Sequence, residues 1–153
     1  MTSSLESVEE LHAAYAVMQS LIRSVVAERM RMAQANPHES IKWYGKAAKA
    51  HSADIAWARI GDDIARLLDE ESDEPVRLDA QRVASDFALV KKFVDKEMAE
   101  REKLLRLHHT QTWYKKLSDA KEAAEAMENV EFWFYEAVQP GELVQAPVQA
   151  ALF

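Results

Sequence analysis

Pairs of carboxylates three residues apart are the most frequent chemistry-bearing pattern in this chain. Glu6 and Glu9, Glu70 and Asp73, Glu97 and Glu100, Glu122 and Glu125, and Glu128 and Glu131 all have that spacing. Residues three apart share a helix face, and two carboxylates so placed can hold Mg²⁺ through oxygen ligands. An acidic helical surface also generates such pairs by chance. Glu97 and Glu100 alternate with Lys96, Arg101 and Lys103, the pattern of a solvated, ion-paired face. Glu9-x-x-His12 is half of the paired Glu-x-x-His arrangement by which helical bundles hold two iron atoms, and no second copy follows. The rings of His108 and His109 would point about 100° apart on a helix, so a polar interhelical turn explains them better than a shared ion. There is no nucleophile with its base, no phosphate-cradling Gly-rich loop and no dinucleotide fingerprint. The expectation is no catalytic residue, no metal and no cofactor.

Two further clusters bear on binding rather than on reaction. From Lys91 to Lys121 there are nine Lys or Arg against five Asp or Glu, with Trp113 and Tyr114 inside the stretch. Basic side chains beside aromatics can follow a nucleic-acid backbone and stack on its bases, which makes Lys91, Lys92, Lys115 and Lys116 candidate nucleic-acid contacts. The chain's net charge of −7 argues against general affinity for nucleic acid, so any such contact is expected to be weak. The other cluster is Phe132-Trp133-Phe134-Tyr135, whose side chains would point around a whole helix circumference. One core cannot bury them all, so Phe132, Trp133 and Tyr135 are candidate interface residues for a second copy or another protein.

These residues must be positioned by helices. Good helix formers dominate the chain, which has only three Gly and four Pro. Pro37, Pro75, Pro140 and Pro147 divide it into three long blocks and a tail. In the first block Val8, Leu11, Tyr15, Met18, Ile22, Val25 and Met32 form one stripe, interrupted at Arg29. The second block carries two stripes, one from Ile41, Tyr44, Ala48, His51, Ile55 and Ala58, the other from Trp57, Ile60, Ile64 and Leu67 or Leu68, with Gly45 and Gly61 as candidate bends. After Pro75 the stripe of Val76, Ala80, Val83, Phe87, Val90 and Val94 weakens at Glu97 and Arg101. A break at His108 to Thr110 would then separate a last stripe running from Trp113 to Val138. The pattern predicts an all-α fold: an antiparallel bundle of three to four long helices over 1–138, with an extended tail over 139–153. No internal repeat of 30–50 residues is visible.

At 153 residues the chain is long enough for one domain that buries about 70% of its unfolded surface. The absence of Cys removes disulfides, thiolate metal sites and cysteine nucleophiles. With no signal-peptide pattern at the start and no apolar run of membrane-spanning length, a cytoplasmic location and no membrane contact are expected.

The tail carries the most specific signal. Gln149-Ala150-Ala151-Leu152-Phe153 follows Pro147, where a helix cannot continue. A Gln three residues before a Leu-Phe pair resembles the short peptide by which bacterial replication and repair proteins dock on the DNA sliding clamp. Ala150 and Ala151 stand where that family usually carries Leu and then Ser or Asp. The resemblance implies that Leu152 and Phe153 fill an apolar cleft of the clamp and that Gln149 hydrogen-bonds at a second subsite. The bland alternative is that Leu152 and Phe153 fold back on the chain's own core. The expected function is a small non-enzymatic adaptor or inhibitor, of bacterial or phage type, acting on DNA replication or repair. Two alternatives stand beside it. An acidic helical protein with Asp69, Glu70, Glu71, Asp73 and Glu74 could mimic DNA, and the Glu-x-x-Glu pairs are similar to those of Mg-dependent all-α nucleotide pyrophosphohydrolases.

Overall fold

The computed structural model describes residues 5–145. Four long helices run over Val8–Ala35 (α1), Ser40–Leu68 (α2), Ala80–His108 (α3) and Gln111–Ala137 (α4). The breaks fall where proline and weak helix formers place them. The Ser7 hydroxyl accepts from the Glu10 backbone N–H to start α1, with Glu9 and Glu10 beside the positive helix end. Asn36 closes α1 by donating from its side chain to the Met32 carbonyl, and Pro37 opens a single 3-10 turn before α2. The Asp79 carboxylate caps α3 by accepting from Gln81 and Arg82. His109 stops α3 in a left-handed conformation (φ 48°), and Thr110 caps α4 through the Trp113 N–H. Four helices, not three, is therefore the count among the described residues.

Each helix packs on two neighbours: α1 on α2 and α4, and α3 on α2 and α4. Paired residues show that adjacent helices are antiparallel. Tyr15 meets Trp57 while Arg29 meets Lys46, Arg59 meets Asp86, and Arg101 meets Lys116. The all-α antiparallel bundle is thus the fold. Its centre holds Leu11, Met18, Ile22, Trp57, Ile60, Phe87 and Phe134, all essentially inaccessible to solvent. Among the described residues no helix is long and apolar enough to cross a membrane.

Three sequence expectations need correction. The stripe of Ile41, Tyr44, Ala48, His51, Ile55 and Ala58 does not face a partner helix; all six are exposed, Ile41 to 88%. α2 turns Ala47, Ala50, Ala53 and Ala56 inward instead, joined by Trp57, Ile60 and Ile64. Small residues let helix surfaces approach closely, and periodicity alone could not separate this face from its more apolar neighbour. Glu97 is not on a solvated face either. It is buried, with one oxygen 2.7 Å from Arg29 and the other 3.4 Å from Arg101. The interruptions of two stripes thus compensate each other inside the bundle. α2 also runs unbroken through Gly45 and Gly61.

The two helical hairpins repeat one another. The seven buried apolar positions of α2, from Ala47 to Ile64, recur 70 residues later in α4, from Leu117 to Phe134, each matched by a buried residue. In α1, Leu11, Met18, Leu21 and Ile22 recur 72 residues later as Val83, Val90, Phe93 and Val94, also buried. The N-caps Ser7 and Asp79 keep that 72-residue spacing. Arg29 donates to the carbonyl of Lys46, and Arg101 makes the same bond to Lys116. Trp43-Tyr44-x-Lys46 and Trp113-Tyr114-x-Lys116 are the sequence trace of the repeat. In both copies the lysine ammonium lies over the tryptophan ring, at 4.5 and 4.6 Å from its centroid.

After α4 the chain turns at Gly141 (φ 91°) and returns to the bundle. Leu143–Val144 (β2) pairs in parallel with Leu78–Asp79 (β1), and the Leu78 N–H donates to the Glu142 carbonyl at 2.7 Å. Val138 and Leu143 pack against the core. The first part of the expected tail is therefore fastened beside the start of α3.

Candidate functional site

Gln149, Leu152 and Phe153 lie outside the described residues. The aromatic run of α4 is distributed around the helix. Phe134 is fully buried, Phe132 and Trp133 are half-buried, and Tyr135 is 43% exposed. The Tyr135 ring lies 5.9 Å from Phe87, and burial followed by the Glu131 charge raises its phenol pKa. Trp133 packs against the core, so the bundle absorbs part of a cluster expected to need a partner.

The four candidate nucleic-acid lysines do not form one surface. Arg101 is level with Lys116, so Lys91 and Lys92 lie about 15 Å further along the bundle. Lys91 pairs with Asp95 at 3.5 Å and Lys116 with Glu28 at 3.6 Å, while Lys115 is exposed. The His108 ring stacks near Trp113, 6.4 Å between centroids, and His12 is exposed. Among the described residues no three His, Asp or Glu side chains are placed to hold a metal ion. Glu97, the residue of the acidic pairs with the best-defined surroundings, is held between two arginines.

Two other carboxylates, Asp63 and Asp86, are buried between α2 and α3. Arg82 grips Asp63 with two hydrogen bonds of 2.7 and 2.9 Å and reaches Asp86 at 2.9 Å, while Arg59 holds Asp86 from the other side. The hydrogen bonds to Asp63 raise the Arg82 guanidinium pKa further, and Asp86 does the same for Arg59. Paired and hydrogen-bonded in this way, the group fixes the register of α2 against α3 and leaves no reactive carboxylate.

That register continues along the helices into a cleft of about 430 Å³. It places Lys49 level with Lys96, and Ala53 level with Lys92. Lys46, Lys49, Lys92 and Lys96 all line the cleft, with Trp43, Leu89 and Phe93 as its apolar surface. Among the described residues the lysines with an ion-pair partner are Lys91 and Lys116, so the four cleft lysines have none. Arg29, by contrast, is committed to Glu97 and to the Lys46 carbonyl. The Trp43 indole nitrogen is buried and has no hydrogen-bond partner.

The hairpin repeat supplies a second cleft in the matching place, between α1 and α4. Val17, Leu21, Glu28, Arg101 and Lys116 line it where Leu89, Phe93, Glu100, Arg29 and Lys46 line the first. The other three lysines are not repeated. Ser20, Ser24 and Asp119 stand where the first cleft has Lys92, Lys96 and Lys49, and Glu122 replaces Ser52. Five cations face two carboxylates in the α2–α3 cleft; in its counterpart three face three.

Of the four lysines of the α2–α3 cleft only Lys92 was a candidate contact from sequence. Lys46 and Lys49 stand in one block and Lys96 in the next, and only the antiparallel register brings them together. The available signal was Trp43 with Lys42 and Lys46 around it, repeated at Trp113 and Lys116. No family model, curated protein or solved structure matches this chain.

Proposed function

We propose that the chain is a small non-enzymatic adaptor that docks on a bacterial DNA sliding clamp through Gln149, Leu152 and Phe153. The observation that carries this reading is the Gln-x-x-Leu-Phe spacing, set off by Pro147 from a bundle whose described core is already closed by α4 and β2. Leu152 and Phe153 would each contribute up to about 1.5–3 kcal/mol on full burial. Gln149 would add about 1 kcal/mol and set the register. Ordering the peptide opposes these gains, so a single tail is expected to bind in the micromolar range. The test is a titration of purified clamp against the intact protein and against Leu152→Ala/Phe153→Ala. Loss of binding in the double variant supports docking, and equal affinity contradicts it.

One observation supports mimicry of nucleic acid as a second reading. Asp69, Glu70, Glu71, Asp73 and Glu74 are all exposed in the connection between α2 and α3. Binding through that run would fall steeply with salt. It would survive in the tail variant and be lost on neutralising the acidic run.

A further inference from the structure

We propose that the cleft between α2 and α3 is a binding site for a nucleotide-sized phosphate ester, independent of the tail. Its four ammonium groups, none with a carboxylate partner among the described residues, are gathered on a chain whose net charge is −7. Lysines level with one another across a helix seam repel, and an anion between them relieves that repulsion. Lysine serves phosphate as a compact point charge with rotatable donors. Trp43, Leu89 and Phe93 provide apolar wall beside the charges, of which Leu89 is the most exposed. The indole N–H of Trp43, buried in the wall of the cleft, is left without a hydrogen-bond partner. A volume of about 430 Å³ falls within the ordinary range of small-molecule sites.

The matching cleft acts as an internal control. The repeat preserves the arginine bond to the lysine carbonyl and the lysine over tryptophan in both places. Helix packing is therefore satisfied equally well with Ser20, Ser24 and Asp119 as with Lys92, Lys96 and Lys49. The fold does not require the added positive charge, which leaves ligand binding as its use. Glu100 also lines the cleft, and its counterpart Glu28 pairs with Lys116. The site is thus positive without being uniformly so.

The test follows the four indole N–H resonances of the full-length, ¹⁵N-labelled protein during titration with ATP in the absence of metal. Parallel titrations use inorganic phosphate and a short oligothymidylate. The expected result is a saturable shift of the Trp43 resonance, assigned through Trp43→Phe, with Trp113 as the unmoved counterpart. Inorganic phosphate should produce a weaker response at the same resonance. The variant Lys92→Ser/Lys96→Ser should weaken ATP binding by about tenfold or more while keeping its unfolding midpoint, because serine already occupies both matching positions in α1. No saturable Trp43 response at millimolar ATP would overturn the proposal, as would undiminished affinity in the double variant. Saturation by oligothymidylate without ATP binding would also overturn it, in favour of a nucleic-acid strand.

Discussion

At the residue scale, Tyr15 and Trp57 hold α1 and α2 together by exchanging hydrogen bonds. The Tyr15 hydroxyl donates to the Trp57 carbonyl at 2.8 Å, and the Trp57 indole donates to the Tyr15 carbonyl at 3.1 Å, with the rings stacked at 4.9 Å. Burial, with the nearby Asp62 charge, pushes the Tyr15 phenol from 10.0 up to about 12. A raised phenol pKa means that the folded state holds its proton more tightly than the unfolded state. This contribution is complete below pH 10 and is lost as pH rises from 10 towards 12. Tyr15→Phe should cost about 0.5–1.5 kcal/mol at neutral pH. It should also flatten the alkaline fall in stability, leaving the smaller part due to Tyr135, as urea midpoints measured across pH 8–12 would show. Glu97→Ala would leave Arg29 and Arg101 without their buried partner and should cost about 3–5 kcal/mol in the same assay. Arg29, Glu97 and Arg101 were legible as flaws in apolar stripes. That the flaws answer one another was not, because 68 residues separate Arg29 from Glu97.

At the scale of the helices, α2 contains two glycines with opposite roles. A Cβ on Gly45 would meet nothing within 4 Å, whereas one on Gly61 would lie 2.4 Å from the Tyr15 hydroxyl oxygen. Gly45→Ala should stabilise by up to about 1 kcal/mol through helix propensity. Gly61→Ala gains the same propensity but displaces a ring held by stacking and by its hydroxyl hydrogen bond to the Trp57 carbonyl, so a net loss of about 1–3 kcal/mol is expected. Thermal unfolding of the two variants should shift in opposite directions. The helix boundaries were readable because Pro37, Pro75, and His109 with Thr110 act locally on the backbone. The inward face of α2 was not, because four alanines carry less apolar signal than the exposed Ile41, Tyr44 and Ile55.

At the scale of the molecule, one hairpin plan is used twice with different side chains. Ala47 corresponds to Leu117, Trp57 to Met127, and Ile64 to Phe134. Cores tolerate such exchanges when volume is compensated nearby, so burial is preserved while identity is lost. Trp-Tyr-x-Lys, three core alanines and one arginine survive as the sequence trace, at a spacing of 70–72 residues that a search over 30–50-residue periods does not reach. The same plan yields one positive cleft and one balanced one, and binding is proposed at the positive one alone. The tail is proposed to act separately, since β2 fastens the chain to β1 before Pro147 and the proposed docking residues follow it in sequence. If those residues suffice, a peptide spanning 147–153 should compete for the whole of the protein's affinity. The direct measurement is displacement of the intact protein from purified sliding clamp by that peptide, followed by fluorescence anisotropy. Half-displacement at peptide concentrations near the intact protein's own Kd, completed well above it, is the expected result. Protein that stays bound under saturating peptide, or that never binds the clamp, would contradict it.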